Sequence, residues 1–315
     1  MASAITAGAE LRVLESARTS TARFYHPELD VLRFCAFLIV FLHHAFPHEP
    51  GFGVTLGLPL FLARIAAGIG VTGAFGVGVF FVLSSYLITE LLLREKDLRG
   101  TLDLRSFYIR RVLPIWPLYF AFLALAVVLR WIVPGQQVTW RAGLWFSLLA
   151  GNWFIVFHGF PSSVIFPLWS VFIEEQFYIT WPAVVRKVSE SAMLIIAALL
   201  LAQAATTRIY LGLRHTAESD VWCNTLAQLD PIALGIVTAV LLKGEVPRFS
   251  GLVRATLMLA GISGLVLGSI YFGVKNDPVM TTRLAFGYPA GAIGGALLLL
   301  SVLRQPSGGS RPVLV

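Results

Sequence analysis

The chain is 315 residues long, with 57% hydrophobic and 13% charged side chains and a mean hydropathy of +0.78. A soluble domain carries about 25% charged residues, so the solvent for most of this surface is a lipid bilayer. The formal net charge of +7 does not mark a nucleic-acid face, because the Lys and Arg side chains sit in short stretches between apolar segments, where membrane topology gathers them.

The first 25 residues are polar, with Arg12, Arg18 and Arg23 and without an apolar signal core, and they read as a cytoplasmic tail. Crossing a hydrocarbon core takes roughly 20 apolar residues in a helix. Segments of that kind fall at 29–47, 71–93, 112–133, 164–185, 191–210, 226–243, 252–273 and 283–303. The lead-in 58–69 can add a short interfacial helix, and 142–158 is either a full crossing or a re-entrant piece. The re-entrant reading places Arg94, Lys96, Arg99, Arg105, Arg110, Arg111, Arg186, Lys187, Lys243, Arg248, Arg254, Arg304 and Arg311 on one side of the membrane, the cytoplasmic side. The expected fold class is all-α, a polytopic transmembrane helix bundle of about eight to ten membrane helices. It forms one membrane-embedded domain over 26–304, flanked by cytoplasmic tails at 1–25 and 305–315.

Two patterns carry no chemistry at this level. Gly68-Ile-Gly70-Val-Thr-Gly73 matches the dinucleotide-binding glycine pattern but lies between apolar membrane segments, not between a strand and a helix. Gly287, Gly291 and Gly295 form a small-residue stripe that admits a neighbouring helix. Cys35 and Cys223 have neither disulfide nor zinc spacing and read as packing residues.

An ionisable side chain at the bilayer centre costs about 2.5 kcal/mol or more, so each one retained there asks for a partner or a function. The first helix holds Asp30, Arg33, His43 and His44, and Asp30 and Arg33 are spaced to pair. From Arg33 an eleven-residue step turns about 1,100° and returns to within about 20° of the same face, whereas the step to His43 lands about 80° away. Arg33 and His44 therefore share a face, roughly 16 Å apart along the axis. A guanidinium suits a phosphate, and an imidazole suits proton transfer near neutral pH. Singly, Arg33 also reads as a snorkelling anchor and His44 as a helix-end residue. Further on, Pro167-Leu-Trp169-Ser170 leads to Glu174-Glu175-Gln-Phe-Tyr178, where adjacent carboxylates point about 100° apart, so that one can face a cavity and the other a helix. Asp230 opens another apolar segment. His43, His44 and His48 lack the carboxylate or thiol that would complete a metal site.

Four segments together resemble the acyltransferase-3 family of membrane acyltransferases. They are Pro27-Glu-Leu-Asp30-Val-Leu-Arg33 running to His43-His44, Phe75-Gly-Val-Gly-Val-Phe-Phe-Val-Leu-Ser84-Ser85, Phe107-Tyr-Ile-Arg110-Arg111 to Ile115-Trp-Pro117-Leu-Tyr119, and Pro167-Leu-Trp to Glu174-Glu175-Gln-Phe-Tyr178. Asp230 in Gln-Leu-Asp-Pro-Ile also resembles a later helix of that family. The chain departs from the pattern at Ser84-Ser85, where Ser-Gly is usual, and at Pro114, where an arginine usually stands.

The resemblance implies transfer of an acyl group, commonly acetyl, from acyl-CoA to a hydroxyl of a carbohydrate, a lipid-linked glycan or another surface acceptor. No cofactor would be held permanently. Arg33, Arg110 and Arg111 would hold the donor phosphates and His44 would act as general base. Glu174 or Glu175 would orient the histidine or bind the sugar, and Asp30, His43, Ser84, Ser85, Trp169, Tyr178 and Asp230 would bind or orient substrate. A serine at 84 or 85 carrying the acyl group covalently is the alternative route. No soluble hydrolase-like domain follows residue 303, so a stand-alone form is expected. The rival reading is a transporter or exporter whose buried charges line a substrate path.

Overall fold

The computed structural model describes residues 26–271 and 281–304. The expected tails at 1–25 and 305–315, with Arg12, Arg18, Arg23 and Arg311, lie outside the described residues, as do the last two residues of the expected span 252–273. No strand occurs among the described residues. The helices are α1 (Pro27–Ala45), α2 (Pro50–Thr55), α3 (Leu60–Gly73), α4 (Gly76–Arg99), α5 (Leu104–Ile132), α6 (Trp140–Ser147), α7 (Gly151–His158), α8 (Trp169–Lys187), α9 (Glu190–Leu213), α10 (Glu218–Trp222), α11 (Leu229–Leu242), α12 (Gly251–Tyr271) and α13 (Thr281–Val302).

Five of these stretches are long and apolar enough to cross a bilayer: α3 with α4, α5, α9, α12 and α13. Helices α1 and α8, of 19 residues each, reach about 28 Å but carry the ionisable side chains. Helix α11 is apolar and shorter, at 14 residues. The stretch 142–158 does not form one span. It folds as α6 and α7, eight residues each, broken at Leu149, whose φ is 56°. Each covers about 12 Å, too little to cross.

Local sequence sets the helix ends. Pro27 and Pro50 open α1 and α2, where a missing N–H costs nothing. Asp103, Thr139 and Ser189 cap α5, α6 and α9 by accepting from Ser106, Ala142 and Ala192 backbone N–H groups, satisfying donors that would otherwise be orphaned. Ser106 donates to Asp103 through its hydroxyl as well, which holds that carboxyl below the usual range.

One end of the bundle is tied by polar side chains meeting helix termini. Lys96 Nζ donates to the Val185 and Val188 carbonyls at 2.8 Å each, joining the ends of α4 and α8. Arg254 donates to the Ser301 carbonyl at 3.0 Å and to Pro247 at 3.2 Å, and the Arg304 N–H donates to Glu28 Oε1 at 3.1 Å. The start of α1, the ends of α4, α8, α11 and α13 and the starts of α5, α9 and α12 thus share one face of the bundle.

Two apolar clusters form the interior, one around α4, α5, α8 and α9 and one where α1 and α13 meet α4. Phe34, Leu118, Trp131 and Leu252 are among many large apolar side chains left exposed, a surface that a hydrocarbon solvent covers. The glycine stripe on α13 does admit a neighbour: a β-carbon at Gly291 would lie 2.4 Å from the Phe75 ring. Gly294, off that stripe, receives α12, since a β-carbon there would lie 2.7 Å from the Gly261 carbonyl oxygen.

Candidate active site

The basic end of the bundle opens into a cleft of about 830 Å³. Arg94, Arg99, Arg110, Arg111 and Lys243 line it, against the carboxylates Glu95, Asp97 and Glu245, leaving an excess of positive charge. Glu95 is shared, 3.6 Å from Arg99 and 4.0 Å from Arg110. Arg94 pairs with Glu90, which is 1% exposed, and donates to the Gly244 carbonyl at 3.3 Å. Lys243 pairs with Glu190, and the hydrogen bond between them holds the ammonium pKa above the usual lysine range.

Arg111 leads inward from this cleft. Its guanidinium lies 5.5 Å from the Tyr178 ring centre and 6.0 Å from that of Phe107, within cation–π range. Tyr178 in turn donates its hydroxyl to Glu174 Oε2 at 3.1 Å, and Ser84 donates to Oε1 of the same carboxylate at 3.2 Å. The neighbouring Glu175 is 4% exposed and accepts from Trp116 Nε1 at 3.2 Å. The two adjacent carboxylates therefore do face different surroundings, Glu174 toward α4 and Glu175 toward α5.

The Arg33–His44 face of α1 looks toward α8 and the turn before it. Arg33 Nη1 donates to Asp30 Oδ1 at 2.9 Å. At the far end the His44 ring meets Phe166 edge-on at 5.6 Å. His43 turns the other way, toward α3. Its Nδ1 is 2.8 Å from the Gly70 carbonyl oxygen, which can only accept, so Nδ1 carries the hydrogen and, in the neutral ring, Nε2 has the lone pair. His48 stacks on the His43 ring at 4.3 Å and donates from Nε2 to the His43 carbonyl at 2.7 Å. Two of the three glycines of the dinucleotide-like pattern, Gly70 and Gly73, make this possible. A β-carbon at Gly73 would lie 2.3 Å from the Ile39 carbonyl oxygen, and one at Gly70 2.7 Å from the His48 ring. They lie within α3 and serve helix contact.

A sequence profile described as "Acyltransferase domain" matches residues 26–315. The chain belongs to the acyltransferase-3 family. It is 32% identical over 175 residues to the "Peptidoglycan O-acetyltransferase OatA" of Listeria monocytogenes, a match covering 52% of this chain and 25% of that protein. It is 39% identical over 122 residues to the "Putative peptidoglycan O-acetyltransferase YrhL" of Bacillus subtilis, covering 35% and 19%. A "Putative O-acetyltransferase SACOL0978" of Staphylococcus aureus is 27% identical over 230 residues, covering 65% and 37%. The matched part of this chain thus spans 19–37% of the length of these relatives. No solved structure matches it.

In this acyltransferase-3 chain the residues singled out by sequence do not all meet. Ser84, Arg111, Glu174 and Tyr178 gather in the bundle, the half-exposed Arg33–Asp30 pair lies on α1, Arg110 stays at the cleft and His44 at the opposite end. Ser85 is fully buried and donates to the Phe81 and Val82 carbonyls of its own helix. It faces α11, where a β-carbon at Gly235 would lie 1.9 Å from its hydroxyl oxygen. Trp169 packs between Phe81 and Trp222. Asp230 binds the buried Arg208 through both carboxylate oxygens.

Several polar residues here had no weight in the sequence. Asn152 donates to Thr225 Oγ1 at 2.9 Å and accepts from Gln176 at 3.1 Å, while Thr225 donates to Gln176 Oε1 at 2.7 Å. This closed network ties α7 and the turn at 225–227 to α8, next to Glu174 and Glu175. A buried asparagine in an apolar stretch was the available signal, since an amide in hydrocarbon needs partners.

Proposed function

We propose that the protein is an integral-membrane O-acyltransferase that moves an acetyl group from acetyl-CoA to a hydroxyl of a cell-envelope glycan, with the basic end of the bundle and both tails in the cytoplasm. The observation that carries this reading is the polar track from the cleft through Arg111, Tyr178 and Glu174 to Ser84. The family and the names of its relatives support the reaction class, and the clustering of Lys and Arg at one end supports the orientation. The membrane-embedded unit over 26–304 would carry the whole reaction site.

In this mechanism the cleft arginines and Arg33 bind the donor's phosphates, and its thin thioester arm enters between α5 and α8. His44 takes the proton from the acceptor hydroxyl as that oxygen attacks the thioester carbonyl carbon. The tetrahedral intermediate collapses, the carbon–sulfur bond breaks, and the imidazolium returns the proton to the departing thiolate. Purified protein given acetyl-CoA and peptidoglycan fragments is expected to release free CoA and form acetyl esters on the glycan, read by mass spectrometry. Absence of both with every glycan offered would overturn the proposal. Arg33→Ala is expected to raise the donor KM by about 10- to 100-fold, the worth of a charge-assisted hydrogen bond, with a smaller effect on kcat.

A second route is favoured by one observation: the Ser84 hydroxyl is bonded to a carboxylate. Ser84 Oγ would attack the thioester carbon with its proton passing to Glu174, the carbon–sulfur bond would break and Glu174 would return the proton to the departing thiolate. The acceptor hydroxyl would then attack the acyl-serine, breaking its ester bond to Oγ, with the hydroxyl proton passing through Glu174 to Ser84. Incubation with acetyl-CoA without acceptor would then leave one acetyl group on the peptide containing Ser84, absent in Ser84→Ala. An unmodified wild-type peptide excludes the covalent route.

A further inference from the structure

The left-handed end of α11 holds a cation where a glycine would rest more easily. Lys243 has φ 47° and ψ 41°, a conformation that strains any residue with a β-carbon and that glycine adopts freely. Gly244 follows at φ 77°, where a β-carbon would come 2.9 Å from both the Arg94 guanidinium and Glu90 Oε1. The Arg94 bond to the Gly244 carbonyl fixes this turn on the buried Glu90. Strain retained at a fixed turn points to a use for the side chain. The Lys243 side chain lines the donor cleft, 64% exposed, with Nζ 2.5 Å from Oε2 of Glu190, itself 38% exposed.

We propose that Lys243 is a phosphate ligand for the nucleotide end of the donor, held in reserve by Glu190, so that donor phosphate and the Glu190 carboxylate compete for one ammonium. This inference rests on the acetyl-CoA reading given above. An exposed ion pair is weak enough to be exchanged for a polyphosphate, which brings more charge to the same lysine. Among the other cations of the cleft, Arg94 is tied to the buried Glu90 and to the Gly244 carbonyl, whereas the exposed Arg99 and Arg110, 3.6 and 4.0 Å from Glu95, can bind phosphate beside Lys243. Glu190 sits in the first turn of α9 and does not line the cleft, so it acts through the lysine.

The test measures the Kd of acetyl-CoA for the full chain in lipid nanodiscs at one fixed low salt concentration. Lys243→Ala is expected to weaken binding about 5- to 10-fold, as for loss of one phosphate contact. Glu190→Gln is expected to tighten it about 2- to 5-fold, the exchange value of an exposed pair. In the Lys243→Ala background Glu190→Gln should have no effect, which separates competition for the lysine from a general rise in cleft charge. Lys243→Gly removes the backbone strain, so it should weaken donor binding as alanine does while its melting temperature stays level or rises. Unchanged affinity in Glu190→Gln, or equal tightening in the absence of Lys243, overturns the proposal. Failure of the wild-type protein to bind acetyl-CoA, while transferring acetyl from another donor, overturns the donor reading and this inference with it.

Discussion

Replacing His44 by alanine is expected to lower kcat for acyl transfer by about 10²- to 10⁴-fold, the range for removing a general base. The fold should be undisturbed, because the ring is exposed on α1 and makes only edge-on ring contacts, to Phe166 and to the neighbouring His43. Donor affinity should also hold, since the cleft lies at the opposite end of the bundle. His43 gives the control. It is braced by Gly70 and stacked on His48, so His43→Ala should act first on the packing of α1 against α3 and lower the melting temperature. If His43→Ala abolishes turnover with the fold intact, and His44→Ala leaves turnover near normal, the base is His43 Nε2, whose lone pair the Gly70 contact leaves available. Comparing the two variants, with insertion and melting measured for each, therefore assigns the proton acceptor on chemistry.

The membrane architecture was legible because a bilayer leaves few choices. Every backbone group in hydrocarbon must be satisfied within a helix, so apolar length locates the five stretches long and apolar enough to cross. The Asp30–Arg33 bond was legible for a related reason, since three residues on a helix are neighbours whatever the tertiary fold. Tertiary pairings were not. Ser84 and Ser85 are equivalent in sequence, and helical phase says only that they point about 100° apart. That the first meets Glu174 and the second meets Gly235 depends on which helices flank α4, with 90 residues between Ser84 and Glu174. Pairing of Arg94 with Glu90 could have been read from their four-residue spacing. Glu90 sat inside an expected span, where it should have asked for a partner. Arg208 is likewise a charge inside the expected span 191–210, but its partner lies 22 residues away, beyond the reach of helical spacing.

That pair carries the largest expected effect on stability. Arg208 is fully buried, bonded to both Asp230 oxygens and donating to the Ala227 carbonyl at 2.7 Å, with its guanidinium 5.3 Å from the Tyr288 ring centre. Arg208→Met strands the Asp230 carboxylate inside the bundle and is expected to cost about 3–5 kcal/mol, because the loss of one partner leaves the other's desolvation uncompensated. Thermal unfolding in detergent should register this as a fall in melting temperature of roughly 10 °C. The double replacement Arg208→Met with Asp230→Leu removes both charges for side chains that pack in the same space, and should restore most of that loss. Activity of the double variant then tells whether the pair only joins α9 to α11. A structural pair predicts acyl transfer close to wild type once the fold is restored. Recovered stability with abolished transfer would instead move Asp230 into the reaction site, since an apolar substitute can replace the packing of an ion pair but not a carboxylate that acts on substrate.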